Sequence, residues 1–157
     1  MPNLIEPGEG AASARYAIVV SEWNKGVTAK LLDGAIETLT AAGVADESID
    51  VVWVPGAWEI PVVAQKLADT CRYGAILTLG AVIKGETAHD HWINHGVTDS
   101  LMRIATEHCL PVMFGVLMCD SLEQALNRAG GSVGNKGSEC AEAALKMVAT
   151  LKALPTK

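Results

Sequence analysis

Hydrophobic residues along this chain alternate between two rhythms. Short, nearly unbroken apolar runs at Tyr16 to Ser21, Ile49 to Val54, Ala75 to Ile83 and Val112 to Leu117 predict strands buried on both faces. Between them, apolar residues recur at three- and four-residue spacing. Val27, Leu31, Leu32, Ala35, Ile36 and Leu39 mark a helix from Val27 to Ala42 that ends at Gly43. Ile60, Val63, Ala64 and Leu67 mark a second helix, Trp58 to Cys71, where Pro61 is tolerated because it falls in the first turn. An amphipathic stretch from Asp90 to Cys109 predicts a third, and Ser121 to Ala129 a short fourth. A glycine-rich break (Gly130, Gly131, Gly134) precedes a final helix from about Gly137 to Leu154. Met1 to Arg15, with Pro2, Pro7, Gly8 and Gly10, has no period and reads as an arm rather than a packed element.

The order β-α-β-α-β-α-β-α-α predicts an α/β domain over residues 16–157, following the arm of residues 1–15. Its four-stranded parallel sheet is covered by helices on both faces. A length of 157 residues fits one domain, and no linker or repeat divides it. With 50% hydrophobic and 19% charged residues the chain can fill a core, which argues against disorder. A net charge of -6 and the lack of a basic stripe argue against nucleic-acid binding. An anionic ligand must then be held by local groups, because the overall field repels it. No apolar run approaches the length of a membrane span and no signal-peptide pattern opens the chain, so the expected location is the cytoplasm. Cys71, Cys109, Cys119 and Cys140 are scattered and read as reduced core residues.

In open parallel sheets, ligands bind beyond the carboxyl ends of the strands. Each such end here carries unusual residues: Trp23-Asn24, Pro55-Gly56-Ala57-Trp58-Glu59, Gly85-Glu86-Thr87-Ala88-His89, and Phe114 to Cys119. The third of these joins a strand to a helix through a Gly-x-Thr turn. Free backbone N–H groups and a positive helix end make such a turn a seat for phosphate. His89 falls in the first helical turn beside it, where the positive end favours a neutral ring able to act as a base. Thr87-x-x-Asp90 has the spacing of a capping box, which would give Asp90 a structural task. His91 and His95 stand four apart, but no cysteine or carboxylate at ligand spacing joins them, so no metal is expected. Trp23 could stack on a flat ring or be an ordinary half-buried tryptophan. Glu59 could accept from ligand hydroxyls or simply favour a helix start, and Phe114 could equally be a core strand residue.

Four segments together resemble the lumazine synthase family of riboflavin biosynthesis. They are Val54-Pro55-Gly56-Ala57-Trp58-Glu59-Ile60-Pro61, Gly80 to Thr87 with His89, Pro111 to Leu117, and Glu123 through Arg128 to Gly134-Asn135-Lys136-Gly137. The resemblance implies a flavodoxin-like three-layer αβα sandwich. It implies condensation of 5-amino-6-ribitylamino-2,4-pyrimidinedione with 3,4-dihydroxy-2-butanone 4-phosphate, giving 6,7-dimethyl-8-ribityllumazine, phosphate and water without cofactor or metal. Carried onto these positions, it makes Trp23, Asn24, Gly56, Ala57, Trp58, Glu59, Val82, Ile83, Lys84, Phe114 and Lys136 the contacts for the pyrimidine and its ribityl chain. Gly85, Glu86, Thr87 and Arg128 would hold phosphate, and His89 and Arg128 would be catalytic. Asp90 and His91 depart from the family, which usually has an aromatic and then an acidic residue there. The family's sites lie between subunits of a pentamer, with Phe114 resembling an aromatic contributed by a neighbour. The short break before the last helix resembles members that close into a shell of sixty subunits, although Pro7 in the arm argues the other way. The rival reading is a non-catalytic flavin or phospho-ligand binder on the same fold, which would need neither His89 nor Arg128.

Overall fold

Tyr16, Ile18 and Val20 point to one side of the first strand, Ala17 and Val19 to the other, and all five are completely buried. A strand that hides both faces must lie inside a sheet between two helical layers. In the computed structural model, which describes residues 1–156, this strand is β1 (Tyr16–Ser21). It is flanked by β2 (Ile49–Val54) and β3 (Ala75–Ile83), with β4 (Val112–Cys119) beyond β3. All pairings are parallel and the order is β2-β1-β3-β4, the flavodoxin-like arrangement the sequence implied.

Helices α1 (Lys25–Ala41) and α5 (Lys136–Ala153) cover one face, where Leu31, Leu39, Ala141, Ala144 and Val148 meet Tyr16, Ile18 and Val20. Helices α2 (Ile60–Asp69) and α3 (His89–His108) cover the other, where Ile60, Ala64, Val97, Leu101 and Ile104 meet Ala17 and Val19. Small residues let α1 and α5 approach closely. A side chain on Gly137 would collide with the Leu31 carbonyl, so only glycine fits there. Asn135 fixes the same junction: its Oδ1 accepts from the Gly137 and Ser138 N–H groups at 2.8 and 3.2 Å, and its Nδ2 donates to the Lys30 carbonyl at 3.0 Å. The Gly-Asn-Lys-Gly segment therefore serves as a cap and a helix-packing joint.

The structure departs from the sequence expectations at several boundaries. Strand β4 runs on to Cys119, because Leu117 and Cys119 bury against the α5 side. A short 3₁₀ turn, Ala57–Glu59, precedes α2, and the helix stops at Asp69. The glycine-rich break is a small antiparallel pair, β5 (Ala129–Gly131) and β6 (Gly134–Asn135), which follows α4 (Leu122–Asn127). Gly130, at the register shift within β5, and Gly134, just after the turn, both adopt positive φ angles. Segments of two and three residues carry no hydrophobic period, so pattern reading passes over them.

The amino-terminal segment, read from the sequence as an arm, is largely exposed and is tied to the domain from Gly8 onward. The Gly8 N–H donates to the Ala149 carbonyl at 3.3 Å, Lys152 donates to the Gly10 carbonyl, and the Tyr16 hydroxyl donates to the Ala11 carbonyl at 2.7 Å. Ala11 and Ala14 pack on the core. Of the cysteines, Cys119 and Cys140 are buried, but Cys71 and Cys109 are exposed in left-handed conformations just past α2 and α3. Both sit at helix ends, where the chain must turn away from the core.

At that end of the molecule α2 and α3 are joined through His108. Its Nε2 lies 3.0 Å from Asp69 Oδ1, and its Nδ1 lies 3.0 Å from the Ile104 carbonyl. Both ring nitrogens face acceptors, so the arrangement calls for the doubly protonated ring. The bond to Asp69, then that to Ile104, raises the His108 pKa, and the bond from His108 lowers that of Asp69. Among the described residues no helix is long and apolar enough to cross a membrane.

Candidate active site

Strand β3 is longer than its central neighbour, and the difference creates the site. Ala75 to Leu79 pair with β1, whereas Ile76 to Ile83 pair with β4. The last part of β3 therefore has a partner on one side only. Asn24 occupies part of the place that β1 leaves. It sits in the left-handed region (φ 61°) just after β1, and its Nδ2 donates to the Ala81 carbonyl at 3.0 Å. Asn24 thus holds the strand ends together as well as starting α1. Along a parallel strand the backbone groups of alternate residues point to alternate sides. Lys84 donates its N–H to the Cys119 carbonyl on the β4 side at 2.9 Å. The N–H and C=O of Ile83 accordingly point to the side that β1 has left open.

That open edge faces a cleft of about 530 Å³. Ala81, Val82 and Ile83 form its floor. Trp23, 75% exposed, stands on one wall, held by a hydrogen bond from its N–H to the Pro55 carbonyl (3.0 Å). Gly56, Ala57, Trp58 and Glu59 form the adjoining wall at the start of α2. Gly85, Thr87, His89 and Asp90 close the far end, with Ile93 and Leu122 beside them. Aromatic and aliphatic walls with a few polar groups suit a flat, partly polar small molecule.

Two local arrangements differ from expectation. Glu59 Oε2 accepts from the Gly56 N–H at 2.9 Å, so that N–H is already engaged and one carboxylate oxygen is occupied. Backbone donation at this wall falls instead to Ala57 and Trp58, whose N–H groups lie at the first turn of the 3₁₀ segment. The Trp58 ring braces the wall by lying against Gly96 of α3, where an added side-chain carbon would come within 2.5 Å of it.

The proposed capping box at Thr87 does not form. Ala88 takes the N-cap position of α3, and the Thr87 hydroxyl accepts from the His89 N–H at 3.3 Å, two residues on. This local bond replaces the longer one to Asp90, a known alternative for threonine. Asp90, freed from that task, is among the residues that line the cleft. Ala88, Asp90 and His91 retain N–H groups with no protein acceptor among the described residues, as a helix start leaves them.

Five of the anticipated site residues do not line the cleft: Lys84, Glu86, Phe114, Arg128 and Lys136. Glu86 and Lys84 are exposed at the turn. Phe114 projects from β4, 41% exposed. Arg128 follows α4 as an exposed C-cap, and Lys136 pairs with Glu139 at 3.3 Å on the first turn of α5. Conversely, Ala81, Ile93 and Leu122 line the cleft without having been singled out, and so does Asp90, whose spacing from Thr87 pointed only to a structural task. For Ile93 a signal existed, since it lies four residues after His89 on the same helix face. Among the described residues no three His, Cys, Asp or Glu side chains converge as metal ligands, and the His91 and His95 rings meet edge to face, 4.6 Å between centroids.

Comparison with known proteins bears on this site. Residues 13–152 match the family model described as 6,7-dimethyl-8-ribityllumazine synthase. A relative of that name from Pediococcus pentosaceus is 54% identical over 134 residues, covering 85% of this chain and 86% of its own. Among solved structures, a de novo designed Rossmann fold protein is similar with a TM-score of 0.41 and 13% identity, covering 71% of this chain and 90% of that one. Three strand-end loops on one cleft, and a family match across nearly the whole chain, lead to one assignment: this chain belongs to the 6,7-dimethyl-8-ribityllumazine synthase family.

Proposed function

We propose that the cleft carries out the family's reaction, condensing 5-amino-6-ribitylamino-2,4-pyrimidinedione with 3,4-dihydroxy-2-butanone 4-phosphate. The observation that carries this reading is the gathering of Trp23, the Gly56–Glu59 wall, the open edge of β3 and His89 around one cavity. The pyrimidine stacks on Trp23, and its polar edge meets the Ile83 backbone pair. The ribityl chain runs along Ala57, Trp58 and the unoccupied oxygen of Glu59. Phosphate lies in the turn from Gly85 to Thr87. A side chain at Gly85 would meet nothing within 4 Å, so packing does not demand a glycine there, whereas close approach of a ligand does. His89, at the cleft end of α3, moves protons during Schiff-base formation, phosphate loss and ring closure.

Among the described residues the cleft walls contain no lysine or arginine. A phosphorylated substrate needs one, and Arg128 matches phosphate in a fork. Its place outside the cleft, together with exposed Phe114, supports a homo-oligomer in which a neighbouring copy brings Phe114, Arg128 and Lys136 to the site. We take residues 16–157 as the single functional unit of that assembly. The short β5–β6 connection favours a closed shell of pentamers. The test is to incubate the purified protein with both substrates, following lumazine fluorescence and phosphate release together. Equal amounts of the two products are expected, and neither appearing would overturn the assignment.

A further inference from the structure

Asp90 is the one acidic residue in the first turn of α3, and that turn is where the proposed phosphate seat lies. With the capping box unformed, its carboxylate has no hydrogen-bond or ion-pair partner among the described residues, and it lines the cleft beside Gly85, Thr87 and His89. The same cavity holds a second carboxylate, Glu59, and, among the described residues, no permanent cation. A fixed negative charge therefore occupies the positive helix end that an incoming phosphate would use.

We propose that Asp90 weakens the cleft's hold on phosphate, so that the inorganic phosphate released in the reaction leaves readily. This rests on the phosphate seat assigned above. The physical reason is that a seat built only of N–H groups, His89 and an arginine holds free phosphate and the phosphoryl group of the substrate alike. Such uniform binding does not speed the chemical step and slows departure of the product. A carboxylate at the same helix end opposes both anions. It weakens both by a similar factor, but the substrate is held by its carbon chain as well, whereas free phosphate has no other hold on the cleft. Two like charges several ångströms apart in a partly wet cleft change an affinity roughly three- to tenfold. Asp90 also favours the start of α3, so its role is separated from a structural one by changing charge without changing shape.

The experiment measures inhibition of turnover by inorganic phosphate in the wild-type protein, Asp90→Asn and Asp90→Glu. Asp90→Asn is expected to lower the inhibition constant for phosphate roughly three- to tenfold. Asp90→Glu, which keeps the charge, is expected to stay near wild type, and the KM for the uncharged pyrimidine to stay unchanged in both. Equal phosphate inhibition in wild type and Asp90→Asn would overturn the role of Asp90 alone. A raised pyrimidine KM in Asp90→Asn, with phosphate inhibition unaltered, would make Asp90 a structural residue. No inhibition by phosphate in any of the three would overturn the phosphate seat itself, and the proposal with it.

Discussion

His89 and Arg128 stand in different places, and their substitutions separate accordingly. His89 lines the cleft and its N–H is tied to Thr87, so the ring changes without disturbing a buried contact. His89→Gln should keep the fold and slow turnover by about 10–10⁴-fold, the span of acid–base contributions. Turnover at the wild-type rate would remove the ring from the chemistry. Arg128→Ala should raise the KM for the butanone phosphate by roughly 10–100-fold, as charge-assisted bonds to phosphate imply. Equal rises for both substrates would instead make Arg128 a structural residue. At this scale the sequence was legible for which residues gather at the cleft, as with Trp23, Gly85, Thr87 and His89. It was not legible for Asp90, because the Thr87 hydroxyl accepts from the near His89 N–H rather than from the farther Asp90 N–H, which leaves the capping box unformed.

The strands β1, β2 and β3 could be read from their apolar runs, although of these β2, at the sheet edge, is only partly buried. What periodicity cannot give is how far one strand outruns its neighbour. The open edge at Ala81 to Ile83 exists because β3 pairs further with β4 than with β1, a property of register rather than composition. The hairpin of β5 and β6 escaped for a similar reason, being set by the positive φ angles of Gly130 and Gly134. The helical layer of α2 and α3 also carries a pH dependence. The His108 pKa is raised in the folded state, so the pair's contribution is complete below the ordinary histidine value near 6.5 and is lost as pH rises through the raised value. Asp69, lowered in the folded state, contributes above the ordinary value of 3.8 and ceases to as pH falls through its lowered one. Melting temperatures should therefore fall between pH 6 and the alkaline side more in the wild type than in His108→Asn. Parallel pH profiles for the two proteins would show that the pair contributes nothing.

For the molecule as a whole, one chain presents a cleft with carboxylates and an imidazole but, among the described residues, no permanent cation, and it leaves Phe114 and Arg128 on the outside. The proposed assembly would resolve that imbalance. Light scattering at neutral pH without ligand should find a species of about sixty chains, as the short connection before α5 implies. A species of five chains would overturn the shell while leaving the shared site intact, and a monomer that turns over substrate would overturn both.

The free backbone pair at Ile83 has a consequence for how this site can change over generations. Recognition written in side chains is lost with one replaced residue, but the N–H and C=O at this position belong to the main chain. Every residue except proline supplies both. What the cleft reads with that pair is therefore shielded from mutation at position 83, and it drifts only if the strand itself slips in register. The aromatic and charged residues around it are then free to vary in reach and affinity while the orientation of the bound ring stays inherited with the sheet.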